Sequence, residues 1–369
     1  MADVLTVLLC GDVMTGRGVD QILPHPGDPT LREGYLRDAR RYVERAESAN
    51  GPIPSPVDFA WPWGDALRTA ANLAPDVRVI NLETSITGHD GFAAGKGIHY
   101  RMSPDDVPCL TAFGPDVCTL ANNHVLDFGR RGLGDTLDVL SDAGIRTAGA
   151  GRNLREAREL AVVPVEHDAR VIVLACGTGS SGIPPAWAAT RTRPGVLRLP
   201  DLSDDTGAEL TDLVNAAKGP GDVGVVAIHW GPNWGYQIAP DQRRFAHRLI
   251  DAGIDIVHGH SSHHPRPIEV YHDKLVLYGC GDFINDYEGI HGHEQYRPDL
   301  RLMYLASLEA GTGRLLQLRM TPMQARKMRL NHACDADTAW LRASIDRVSR
   351  AFATRVELAP DGTLTARPD

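Results

Sequence analysis

A chain of 369 residues, 43% hydrophobic and 23% charged, carries enough apolar material for one large or two ordinary globular domains. A formal net charge of −9, with Arg40-Arg41, Arg130-Arg131 and Arg243-Arg244 only as isolated doublets, excludes a nucleic-acid track. The six cysteines at 10, 109, 118, 176, 280 and 334 form no C-x-x-C pair and read as reduced core residues.

The N-terminus, MADVLTVLLCGDV, has no basic region, and its apolar run is too short for a secretion signal or a membrane span. It reads as a buried first strand, which predicts a cytoplasmic protein without a membrane partner. Further strands are predicted at 77–83, 116–124, 170–179 and 222–231. A helix follows in PDQRRFAHRLIDAG, with proline at its entry and glycine at its exit. DIVHGH then delivers a loop that holds His258, His260, His263 and His264. Two strands around a His-Asp-Lys turn, a hairpin at LMYLASLEAGTGRLLQLRMTP and an amphipathic helix at DADTAWLRASIDRVSRAFA complete the pattern. Strands alternating with helices argue for an α/β core, and the late hairpins for mixed sheets. The Gly/Pro/aromatic-rich stretches near 20–62, 86–103, 178–196 and 231–239 are too long for plain connectors and read as lids or substrate walls.

Asp12, Glu83, Asn123-His124, His229 and His260 each follow the C-terminal end of a predicted strand. Ligands of α/β sheets bind at that edge. A cluster of uncompensated carboxylates there is costly without a cation. The donor set is oxygen and nitrogen without sulfur, which points away from a structural zinc site and towards Ca, Mn, Mg or a catalytic Zn.

GDVMTGR (11–17), NLE (81–83), ANNHVLDFG (121–129), HWG (229–231), GHSSHHPRPIEVY (259–271) and YGCGDFINDYEGI (278–290) resemble, in order over roughly residues 4–320, the CapA family of capsule poly-γ-glutamate synthesis proteins. That family is similar to the calcineurin-like metallophosphoesterases. The resemblance implies a four-layer α/β/β/α sandwich with two mixed sheets. It places a catalytic domain over 1–325, with lid-like insertions at 20–62, 86–103 and 178–196, and a C-terminal helix and strand extension over 326–369 packing on the same domain.

Carried over by position, the resemblance makes Asp12, Glu83, Asn123, His229 and His260 metal ligands, directly or through water. The chain departs from the dinuclear pattern in two places. Asp12-Val13-Met14 lacks the histidine of Asp-x-His, and after Gly259-His260 the next histidines fall at 263 and 264. One divalent ion, or one tight and one weak, is therefore expected, and proton transfer rather than two-metal phosphate hydrolysis. His124 is the acid/base candidate with Asp127 as its orienting partner, His263 or His264 a second with Asp282, and Asp12 and His293 complete the catalytic set. Arg17 and Arg297 are candidates for a peptide carboxylate, and Trp230, Trp234 and Tyr287 (with Trp61 and Trp63) for an aromatic wall. Cytosolic relatives in the resembling set include lasso-peptide epimerases, which invert the Cα of a C-terminal tryptophan. The leading expectation is thus a metal-dependent peptide epimerase. The alternatives are a hydrolase or transpeptidase of phosphoester or γ-glutamyl bonds, and a non-catalytic binding protein of a biosynthetic complex. The expected partner is a peptide substrate; the sequence says nothing of oligomeric state.

Overall fold

The computed structural model describes residues 4–166 and 168–369. The apolar run at the N-terminus forms the strand Val4–Val13, buried from Val7 onward because it lies inside a sheet with neighbours on both sides. It pairs in parallel with Val77–Leu82 and antiparallel with Leu300–Glu309. The first sheet runs, in spatial order, Thr354–Leu358, Leu364–Pro368, Leu315–Ala325, Leu300–Glu309, Val4–Val13, Val77–Leu82, Val117–Thr119 and Arg146–Ala148. The short strand Asp282–Ile284 joins the far end of Val4–Val13, so that Asp12 and Asp282 lie side by side. The second sheet runs Ile268–Tyr271, Lys274–Leu277, Ile256–His260, Val223–His229, Arg170–Gly177 and Ala161–Pro164, parallel at its centre and antiparallel at both edges.

Strand periodicity sorts the second sheet's side chains into two layers. Val171, Val173, Ala175, Val225 and Ala227 join Val7 and Leu9 in one apolar cluster between the sheets. Their alternates Ile172, Leu174, Cys176, Val226 and Ile228 pack with Leu210, Val214, Phe245 and Leu249 of the helices Asp204–Ala217 and Pro240–Asp251. Gly129–Asp142 packs beside Arg146–Ala148 of the first sheet. The layering is helix, sheet, sheet, helix, the expected four-layer α/β/β/α sandwich. His258 lies between the sheets, where its Nε2–H donates to the Cys10 carbonyl at 2.8 Å. Among the described residues no helix is long and apolar enough to cross a membrane.

Two expectations need correction. The strand predicted over 116–124 spans only Val117–Thr119. Asn122 ends it: its Oδ1 accepts the N–H groups of His124 and Val125, each at 3.0 Å, which turns the chain out of the ladder. The helix Asp204–Ala217 is absent from the expected elements, although Ser203 caps it by accepting the Thr206 N–H at 3.3 Å. Beyond residue 326, the helix Asp335–Ser349 is followed by a hairpin that extends the first sheet through Leu364–Ala366 on Leu318–Met320.

Candidate metal centre and acid/base site

The parallel strands of both sheets deliver their polar C-terminal residues to one edge. Asp12 and His260 come from facing sheets, and His229 is in register with His260. Single ligand atoms of Asp12, His229 and His260 lie within 4.8 Å of one another, as do those of Asp12, Glu83 and Asp282. Two donor groupings therefore share Asp12. Gly11 permits this convergence, since a Cβ there would sit 1.7 Å from the Gly281 carbonyl oxygen. Asp12 is held by Asn81 Nδ2 at 2.7 Å and by the Ser261 N–H at 3.2 Å. Ser261 adopts φ 103°, a conformation rare for a side-chain-bearing residue and costly to maintain. Asn123 Oδ1 lies 2.9 Å from His229 Nε2, and His229 Nδ1 lies 2.8 Å from His260 Nδ1.

The electrostatics of this cluster are unbalanced. Burial, then the neighbouring Asp282 charge, pushes the Asp12 carboxyl up to about 8. Burial and the Asp12 charge hold Glu83 well above the ordinary carboxylate range. Burial keeps His229 and His260 well below the usual imidazole value. Burial also works against charge on Asp282 and His263, yet their mutual attraction wins, holding the carboxyl low and the imidazole high. The Nε2 of His260 is buried with no partner among the described residues. Three crowded carboxylates, neutral imidazoles and an orphaned ring nitrogen fit a hard or borderline divalent cation. Asp12, Glu83, Asp282, His229, His260 and Asn123 could hold it. Met14, at the position of the missing histidine, is buried packing whose backbone N–H bonds the Ile284 carbonyl.

Beside this cluster lies a pocket of about 290 Å³, lined by residues that include Glu83, Asn123, His124, His263 and Tyr287. His124 Nδ1 lies 2.6 Å from Asp127 Oδ2, and its ring stacks on Tyr100 with centroids 3.7 Å apart. Asp127 is fully buried and takes part in no helix cap; it also accepts the Tyr100 N–H at 2.7 Å. His263 Nδ1 lies 3.0 Å from Asp282 Oδ1, and its Nε2 lies 3.0 Å from Asn233 Nδ2. The pocket thus presents two imidazoles, each backed by a carboxylate.

The pattern bacterial capsule synthesis protein PGA_cap matches residues 6–287. The chain belongs to the PGA_cap family. It is 57% identical over 99% of its length, and 97% of the relative's, to a protein of Mycobacterium tuberculosis named as a probable polyglutamine synthesis accessory protein. It is 28% identical to the PGA biosynthesis protein CapA of Bacillus subtilis, over 77% of this chain and 64% of that one. It is also 28% identical to the capsule biosynthesis protein CapA of Bacillus anthracis, over 76% of this chain and 60% of that one, so it spans less than two thirds of either CapA. A 5'-nucleotidase precursor from Thermus thermophilus superposes with a TM-score of 0.48 at 13% identity, over 95% of this chain and 59% of that one.

Several residues expected at the site of this PGA_cap member lie elsewhere. Arg17 is already paired: it bonds Asp286 through two nitrogens, Glu33 at 2.8 Å and the Tyr42 hydroxyl at 2.9 Å, and is not free for a substrate carboxylate. Arg297 binds Asp299 and Asp337, both at under 3 Å, outside the pocket. Trp230 is fully buried, with Nε1 donating to the Tyr278 carbonyl at 3.1 Å. Trp61 and Trp63 likewise serve packing, through Nε1 bonds to the Lys327 and Cys109 carbonyls. His264 has both ring nitrogens engaged, one with the Pro265 carbonyl and one with the Gly235 N–H. It braces the 231–239 segment. His293 stacks on Trp234 with centroids 3.9 Å apart, outside the pocket lining, and His291 is exposed. Tyr287 does line the pocket, its hydroxyl bonded to that of Tyr100.

Lys96, Tyr100 and Asn233 line the pocket without having been expected there. Each comes from a long irregular segment, 86–103 or 231–239, and no strand-end rule points to it. Asp282 is expected only as a histidine partner; its register with Asp12 adds it to the carboxylate cluster.

Proposed function

We propose that this PGA_cap protein is a metal-dependent acid/base enzyme acting on the amide bonds of a glutamyl polymer or peptide. The observation that carries the reading is the shared donor cluster of Asp12, Glu83, Asp282, His229 and His260 standing beside the His124–Asp127 pair. The names of the similar proteins, which concern capsule, PGA and polyglutamine synthesis, supply the substrate class. A divalent cation held by these residues would supply Lewis-acid chemistry to a substrate carbonyl. His124, with Nδ1–H donated to Asp127, presents Nε2 as a base towards a nucleophile and returns the proton to the leaving amine. Asp127 holds the ring in that tautomer and stabilises the imidazolium that forms. The Tyr100–Tyr287 hydroxyl pair and residues 96–98 of the 86–103 segment line the pocket.

The test is incubation of Mn²⁺-loaded protein with poly-γ-glutamate, reading new free amines and shortened chains. Turnover lost in Asp12→Asn and on chelation supports the proposal. Metal binding without any turnover of γ-glutamyl chains would favour a binding role in a biosynthetic complex.

A second reading is supported by one observation: two carboxylate-backed imidazoles, His124 and His263, line the same pocket. That arrangement suits removal and return of a Cα proton, as in peptide epimerisation. Heavy water separates the readings, since epimerisation puts deuterium on Cα without new amines, and amide cleavage does the reverse.

A further inference from the structure

A second cavity, of about 320 Å³, shares Tyr287 with the catalytic pocket. Two guanidiniums line it without a carboxylate partner among the described residues. Arg301 is 1% exposed. Its Nη1 donates to the Pro298 and Leu300 carbonyls and its Nη2 to Asn285 Oδ1 at 3.0 Å, while its Nε–H has no partner. Arg326 is exposed. Carboxylates line the cavity too, but the chain has already used them. Asp299 accepts from Arg297 and Gln324, and Glu288 from Asn50 and the Lys327 and Met328 N–H groups. Glu294 accepts from His291 and the Gly292 N–H, so both oxygens of each carboxylate are bonded.

A buried charge is costly unless it is paired. Arg301 touches only neutral oxygens. The charges of Asp282, Asp299 and Glu288 reach it without contact, and burial outweighs them. The charge that the cavity leaves open is therefore positive, and a carboxylate completes it with charge-assisted hydrogen bonds.

Position selects which carboxylate. Asn285 accepts from Arg301 through Oδ1 and donates from Nδ2 to Asp282 Oδ2 at 2.6 Å, so one side chain separates the guanidinium from the donor cluster. A glutamyl chain carries a carboxylate on every residue. A chain with one amide in the catalytic pocket can lay its next residue past Tyr287, where Ile290, 39% exposed, offers apolar surface to the methylene groups.

We propose that this cavity is a second subsite, which takes the carboxylate of the glutamyl residue next to the one being acted on. The glutamyl identity of the ligand rests on the proposed function; the carboxylate does not.

The test is calorimetry on the Mn²⁺-loaded full chain with three probes: a γ-glutamyl oligomer, the same oligomer with its carboxylates converted to carboxamides, and glutarate. The wild type should bind the carboxylate oligomer about 10- to 100-fold more tightly than the carboxamide one. Arg301→Met should remove most of that preference, Arg301→Lys less, and Arg326→Ala should reduce it about 2- to 5-fold. Ala325→Phe, which fills the cavity, should remove it too, and with Arg326→Ala it carries the test should Arg301→Met fail to fold. A preference equal to the wild type's in the cavity variants overturns the proposal. Failure of both oligomers to bind the wild type sinks the glutamyl reading instead. Glutarate then decides the cavity: binding lost in Ala325→Phe supports the subsite, and absent or unchanged binding overturns it.

Discussion

Two buried charge clusters lie close together in this protein, and they are built on opposite terms. Around Arg17, one guanidinium faces Glu33 and Asp286, with Tyr42 bonding both Arg17 and Glu33. Every charged atom there has a protein partner, and Arg17 keeps its charge firmly: burial opposes it, but the Asp286 attraction prevails. Around Asp12, three carboxylates face one another with two neutral imidazoles, and the cationic side reaches them only through His263 and, by way of Asn285, Arg301, both on Asp282. The first cluster is completed by the chain itself; the second calls for a charge from outside. Buried polarity alone does not mark a functional site. An imbalance of charge that the protein leaves open does.

The sharpest way to break this contrast is at Arg17. Arg17→Met should destabilise by about 3–5 kcal/mol, because it strands two buried carboxylates; a urea-unfolding midpoint equal to the wild type's would contradict the pairing. The second cluster should respond to metal instead. Mn²⁺ at about one hundred times its Kd should stabilise the fold by about 2.7 kcal/mol, read as a rise in Tm. Glu83→Gln should abolish that rise while leaving the metal-free stability within about 1 kcal/mol of wild type, since the variant only removes a charge that burial already disfavours. A metal-induced rise that survives in Glu83→Gln would remove Glu83 from the ligand set.

Asp20 provides a third kind of buried carboxylate, held mainly by N–H groups. It accepts from Ser103 N at 2.7 Å and Gly27 N at 2.8 Å, and burial outweighs those bonds to push it up to about 7 from 3.8. The folded state therefore holds a proton that the unfolded chain releases first. Its contribution to stability is full below about pH 4 and is lost as pH rises towards about 7. The stability of Asp20→Asn relative to wild type should climb across that window, as measured by urea midpoints at pH 5 and pH 8; a flat difference would mean that Asp20 stays ionised. The smallest effect is expected at Arg297→Ala. Its side chain is 31% exposed and its pairs are peripheral, so the loss should be about 0.2–1 kcal/mol with unchanged turnover.

Legibility in the sequence follows the same division. Asp12, Glu83, His229 and His260 could be found because each ends an apolar run whose direction dictates where it lands. Asn123 and His124 were legible by residue type, although a side-chain turn at Asn122 replaces the expected strand there. Lys96 and Tyr100 were not, since the course of a glycine-rich loop depends on what it packs against. Arg17 and Arg297 were placed by charge type, and charge type does not reveal whether a partner is already waiting. Trp230 misled in the same way: proximity to a histidine in sequence put it on the opposite face of its strand, inside the second core. The helix Asp204–Ala217 carried its own cap signal in Ser203, which strand-end reasoning passes over.

The donor cluster also ties chemistry to the history of the chain. Its atoms come from positions as far apart as Asp12 and Asp282, and from two sheets that meet only across their shared core. The first sheet alone brings Asp12, Glu83 and Asp282 together, and His229 and His260 join them only when the second sheet packs on it. An ion held by both groupings would be completed late in folding, and its stabilisation would then appear in the unfolding rate rather than the folding rate. Occupancy would act as a kinetic latch, lengthening the lifetime of molecules that have completed both layers.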